Sequence, residues 1–174
     1  MSATPVALLE GLRVMARYNR WMNERLYGCC EKLTEAERKR DRGAFFRSIH
    51  GTLNHLLLGD RLWLSRFLAR EFRIGSLAEE LYSDFAELRR EREKTDAEIL
   101  EWIETLDEER LAGTLRFRSV VGNKDRRFPT WFAAQQFFNH QTHHRGQLTT
   151  LLMQAGIDPG VTDLLWLPGM EQDA

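Results

Sequence analysis

Apolar residues recur at intervals of three and four from Val6 to about Leu33, through Leu8, Leu9, Leu12, Met15, Ala16, Met22, Leu26 and Cys29. Arg13, Arg17, Arg20 and Glu24 stand between them, so the spacing predicts an amphipathic helix. The polar stretch Thr34 to Gly43 interrupts the pattern. A second helical run then extends from Phe46 through Leu53, Leu56, Leu57, Trp63, Leu64 and Phe67 to about Arg70. Ser76 and Glu79 have the spacing of a capping box, in which serine and glutamate side chains satisfy backbone donors at a helix start. A third helix is therefore expected from Ser76 to about Leu106, with its stripe along Leu77, Leu81, Phe85, Leu88, Ile99, Trp102 and Leu106.

Between Leu111 and Phe128 the pattern changes to two short β-prone pieces, Thr114 to Val121 and Asp125 to Phe128, around the turn-forming pair Gly122-Asn123. A small hairpin is expected there. Pro129 suits the first turn of a helix, and the run from Trp131 to Ala155 stops at Gly156, a residue favoured just past a helix end. The two prolines and several glycines from Gly156 to Gly169 predict an irregular tail packed on the bundle through Leu164 to Leu167. The pattern predicts an all-α fold: an antiparallel four-helix bundle with a small β-hairpin before the last helix, as one domain over residues 1–174.

Composition narrows the function classes. A chain of 174 residues that is 43% hydrophobic can bury a continuous core without disulfides. A formal net charge of −1 provides no general attraction to nucleic acid or to an anionic membrane. The hairpin region is locally basic, with Arg116, Arg118, Lys124, Arg126 and Arg127 against Asp125, but it lacks a recognition-helix pattern. Nucleic acid is not an expected partner. From Ser76 to Glu109 thirteen acidic residues face four basic ones, which reads as a solvated outer face. Cys29 and Cys30 are adjacent, a poor geometry for a bridge, and are expected to be reduced structural thiols. Met1 to Leu9 does not resemble a secretory leader, and no stretch approaches the apolar length of a membrane span. A cytoplasmic protein is expected.

The chemistry concentrates in histidines. Three of the five fall within Asn139 to Gln147, on the last helix. His140 and His144 are four apart, so they share a helix face and can direct both imidazoles at one ion. Their row continues through Ala133, Phe137, Leu148 and Leu151, which places the pair in an apolar stripe. On the second helix His55 stands between Thr52 and Gly59, small neighbours that leave room for an ion, so it is the better third ligand. His50, near the helix start, and His143, offset by one residue from His144, are read as surface or supporting groups. Three protein ligands leave positions open for water or substrate, the pattern of a catalytic or exchangeable site. Gln141 occupies the place of the general-base glutamate of the His-Glu-x-x-His zinc proteases, which argues against that route to hydrolysis.

The chain resembles the DinB/YfiT-like proteins, a superfamily of metal-binding four-helix bundles. The resemblance rests on Tyr18 to Asn23, Gly51 to His55 followed by Asp60 to Leu64, the run His140 to Gln147, and Gly156 to Pro159 through Asp163-Leu164. These pieces span nearly the whole chain, and the His-x-x-x-His-Arg-Gly-Gln run with the upstream histidine is the most specific of them. The resemblance implies one divalent ion, nickel or zinc, on His55, His140 and His144, and it implies a homodimer. Aromatic residues such as Trp131, Phe132 and Phe138 exceed what one core row needs and would supply its interface. The superfamily includes transferases and isomerases that use low-molecular-weight thiols. The expected function is thus a metal-dependent enzyme that activates a thiol or water for transfer or hydrolysis on a small molecule. The alternative is a non-enzymatic stress-response or interaction protein with a structural ion. No catalytic residue is assigned: Asp60 could orient a ligand or relay a proton and Arg145 could attract an anionic substrate, but residues at such positions are more often structural ion-pair partners.

Overall fold

The computed structural model describes residues 4–171. The expectations for the first three residues and the last three lie outside the described residues. Four long helices, α1 (Thr4–Glu31), α3 (Ile49–Phe67), α4 (Phe85–Glu104) and α6 (Thr130–Gln154), form the bundle. Short helices α2 (Glu35–Lys39) and α5 (Glu108–Ala112) lie in connections, and strands β1 (Thr114–Arg118) and β2 (Asp125–Pro129) form an antiparallel hairpin before α6. The hairpin turns through Gly122 and Asn123, both at positive φ, as their residue types favour. No helix among the described residues is long and apolar enough to cross a membrane.

Side-chain pairings fix the helix directions. Arg13 meets Glu104 and Arg89 meets Glu31, so α1 and α4 are antiparallel. His55 faces His144 while Gly59 lies against His140, so α3 and α6 are antiparallel too. In contrast, Asp60 pairs with Arg92 and Phe67 stacks on Trp102, so α3 and α4 run in the same direction. Parallel neighbours need a connection that returns along the bundle. Residues 68–84 supply it, and this corrects the expected start of the third helix.

The helix begins at Phe85, capped by Asp84, whose side chain accepts from the Glu87 amide at 2.7 Å. The Ser76 hydroxyl does accept from Ala78 N, and Glu79 reaches back to Gly75 N, but no helix follows. A stronger set of bonds holds the segment extended across α3. Asn54 accepts from Tyr82 N at 3.0 Å and donates to Tyr82 O at 3.1 Å, and His50 Nε2 lies 2.9 Å from the same carbonyl. Tertiary hydrogen bonding to buried α3 side chains overrides a local cap signal.

The core divides into two packed clusters. One gathers Met22, Leu26, Leu53, Leu57, Leu88 and Leu152, and the other gathers Leu12, Leu64, Ile99, Trp102, Phe137 and Phe138. Phe138 is only 2% exposed, so it is a core residue and not part of an outer aromatic face. Trp131 and Phe132 are 40% and 46% exposed. Cys29 and Cys30 are free and buried, and burial pushes the Cys30 thiol up to about 12. Pro129 ends β2 and stands just before α6, not in its first turn. Gly156 closes α6 at φ 78°, with Ile157 N donating to Leu152 O and Gly156 N to Met153 O. In the tail Leu167 packs into the core, whereas Leu165 and Trp166 stay exposed.

Candidate metal centre

His55 projects from the middle of α3, and His140 and His144 from successive turns of α6. Because the two helices are antiparallel neighbours, the three rings meet between them. His144 Nε2 lies 3.2 Å from His55 Nε2 and 3.1 Å from His140 Nε2. Among the described residues these three form the one group whose ligand atoms lie within 4.8 Å of one another.

The protonation pattern makes the cluster a set of lone-pair donors. His55 Nδ1 is 2.8 Å from the Leu77 carbonyl, and His144 Nδ1 is 2.8 Å from Gln147 Oε1. Both partners are acceptors, so both Nδ1 atoms carry the proton and both Nε2 atoms present lone pairs. Two lone pairs 3.2 Å apart repel unless a cation lies between them. Burial pushes His55 down to about 4 and His140 down to about 3, and it lowers His144 also, so the rings are neutral at neutral pH. Neutral imidazole is the metal-binding form. Nitrogens about 2.0–2.1 Å from a shared ion lie about 2.9 Å apart at a right angle and about 3.4 Å apart at the tetrahedral angle. The observed separations fall between these values, and the donor set suits nickel or zinc. The residues fit one divalent ion.

The surroundings hold the rings in place. The Phe46 ring stacks on His55 at 3.7 Å between centroids, 16° from parallel. Its backbone comes so near α3 that a Cβ on Gly51 would stand 2.2 Å from the Phe46 carbonyl oxygen. At Gly59 a Cβ would meet His140 Cε1 at 2.9 Å, so that glycine leaves the space the ring fills. His50 is buried on the Tyr82 carbonyl, and His143 is exposed, 3.3 Å from Gln147 Nε2. Neither belongs to the cluster. A cavity of about 380 Å³ reaches His55 and His140 from between the bundle and the hairpin.

One turn behind the histidines lies a second buried polar group. Arg92 Nη1 is 2.6 Å from Asp60 Oδ2, and Arg92 Nη2 is 2.9 Å from Asp96 Oδ1. Asn23 donates to Asp96 at 2.9 Å, Arg145 donates to Asn19, and Gln141 donates to Asp60. Burial pushes Asp60 up to about 7 against the pull of Arg92. Asp60 is thus ion-paired in the core and Arg145 is hydrogen-bonded there to Asn19 and Thr142, so neither belongs to the histidine cluster. Arg92 and Asp96 also depart from the solvated face expected for their acidic segment.

Several supporting groups escaped the sequence reading. Gln147 carries a usable signal, since it stands three residues after His144 and faces it. The Leu77 carbonyl and the Phe46 ring carry none, because each reaches the site through an irregular connection.

The sequence is 25% identical over 160 residues to "Protein DinB" of Bacillus subtilis (strain 168), covering 84% of this chain and 87% of that protein. The structure is similar to a crystal structure of a DinB-like protein from Bacillus cereus ATCC 10987, with a TM-score of 0.61 and 20% identity. That similarity covers 80% of this chain and 90% of the other and extends to the fold. The sequence profile of the DinB family matches residues 3–174, nearly the whole chain, and the chain therefore belongs to the DinB family.

Proposed function

We propose that this protein is a metal-dependent enzyme that acts on a small molecule, with one divalent ion, nickel or zinc, held by His55, His140 and His144. The observation that carries the reading is the convergence of the three Nε2 atoms beside an open cavity. When bound there, such an ion lowers the pKa of a thiol or water and so supplies a nucleophile for transfer or hydrolysis. The chain's own residues do the rest. The Leu77 carbonyl and Gln147 hold two imidazoles in the ligating tautomer. Leu62, Trp63, Phe128 and Phe132 give the cavity apolar walls that exclude water from a bound reactant.

The cavity favours an enzyme over a protein with a purely structural ion, because a closed four-ligand cage would need no access from solvent. Cobalt substitution tests this directly. Titrating the cobalt-loaded protein with a small thiol should produce a sulfur-to-cobalt charge-transfer band, and an unchanged spectrum at millimolar thiol would favour the structural ion. A homodimer through the face bearing Trp131 and Phe132 is part of the proposal, and light scattering at micromolar concentration should read twice the chain mass. A reducing, cytoplasmic setting suits the two free cysteines.

A further inference from the structure

The charge of the cavity is one-sided. Its lining includes two cations, Arg66 and Arg126, beside the neutral histidines, and no aspartate or glutamate. Arg66 is half-buried, with its guanidinium 4.0 Å from the Phe117 ring centroid and 4.7 Å from that of Trp63. The aromatic rings hold the planar group in one orientation, and its burial lowers the guanidinium to about 10. Among the described residues no carboxylate lies within salt-bridge distance of Arg66 or Arg126, in contrast to Arg61 and Arg92, which are held by Glu91 and by Asp60 and Asp96. Arg126 stands opposite Phe117 in the hairpin register, on the strand face that covers the cavity.

Position along the helices sets the length of the cavity. Gly59, which touches His140, and Arg66 are two turns apart on α3, about 10 Å along its axis. His140 and Ala133 are two turns apart on α6, and both line the same cavity. The histidines thus stand at one end and the Arg66 backbone toward the other, and the guanidinium reaches back over Trp63 along the apolar wall between them.

We propose that the cavity takes an amphipathic organic anion, whose carboxylate or phosphate is bound by Arg66 and Arg126 and whose apolar body extends along the aromatic wall toward the histidines. The proposal rests on the metal-site reading for the position of the reactive end, and on the two arginines alone for the anion. Guanidinium presents paired N–H donors to two oxygens of either headgroup, whereas a neutral ligand would leave both cations without a partner.

Calorimetric titration of the full chain as purified with octanoate, octyl phosphate and 1-octanol, with metal content measured on the same samples, tests this. At least one anion should bind about tenfold or more tightly than octanol. Arg66→Gln should remove about tenfold of that anion's affinity, with octanol binding and metal content unchanged. Arg126→Gln, at an exposed position, should remove a smaller part and leave the fold intact, so a poorly folded Arg66 variant leaves the proposal testable. The stronger of octanoate and octyl phosphate identifies the headgroup. Equal binding of both anions and octanol would overturn the proposal. So would an anion preference that survives Arg66→Gln/Arg126→Gln, since the headgroup would then sit on the histidine-held ion. None of the three probes carries a thiol, and the arginine effect is read even in a chain that takes up no metal. Failure of the metal reading is thereby distinguished from failure of this one.

Discussion

The bundle buries two polar groups, an ion-paired group drawn from all four long helices and the histidines between α3 and α6, and they differ in one respect. Around Arg92 the charges are matched: Asp60 and Asp96 flank the guanidinium, and Asn19, Asn23 and Gln141 supply further amide partners. Around His144 there are no charges to pair: two Nδ1 atoms are satisfied, while the lone pairs of His55 Nε2 and His144 Nε2 face one another. A buried polar group whose charges pair with one another holds a fold together, and one that opens toward a cavity is shaped for something that binds. Neighbouring residues on one face can serve opposite ends: Asp60 belongs to the first group and Gly59 to the second.

The largest expected effect breaks the closed group. Arg92→Met leaves two carboxylates buried without their cation, which should cost about 3–5 kcal/mol of folding stability in denaturant titration. A loss under 1 kcal/mol would show that the network is not the structural half of the pair. At the open group, Gln147→Ala removes the acceptor that fixes the His144 tautomer and should weaken metal binding about 10–100-fold with little change in stability. His143→Ala, which deletes an exposed ring outside the cluster, should change metal affinity less than about twofold.

Acid should separate the two properties of the histidine cluster. An unfolded chain takes up histidine protons near the ordinary value of 6.5, whereas burial holds His55 and His140 at about 4 and about 3 in the fold. Their depressed folded values mean that stability of the metal-free protein is full above about pH 6.5 and falls as pH drops from there toward the folded values. Metal affinity of the folded protein responds only when the folded rings take up protons, and burial lowers all three, so its loss should begin below the ordinary histidine value of about 6.5 and be complete as His55 protonates near about 4. Affinity that fell steeply between pH 7 and 6 would mean that the rings are far more exposed than their packing indicates.

Much of this contrast was legible in the residues. The i, i+4 spacing of His140 and His144 in an apolar stripe, with His55 between small neighbours, named the three rings that come together. The bundle and its hairpin followed from periodicity and from Gly122-Asn123. The matched group was not legible, because Arg92 and Asp96 sit in an acidic run whose other members face solvent, and only the pairing of α3 with α4 shows which two turn inward. The crossover was misread for a similar reason. Ser76 and Glu79 do form local bonds of the capping kind, but the decision belongs to Asn54, His50 and His55, which capture the backbone of that segment from α3.

Metal stoichiometry tests the central claim most directly. After loading with zinc or nickel and removal of free ions, elemental analysis should find one ion per chain in the wild-type protein and a small residue in His55→Ala, His140→Ala and His144→Ala. A metal-free wild-type chain from a metal-replete preparation, or a His144→Ala variant that keeps its full ion while His143→Ala loses it, would contradict the account.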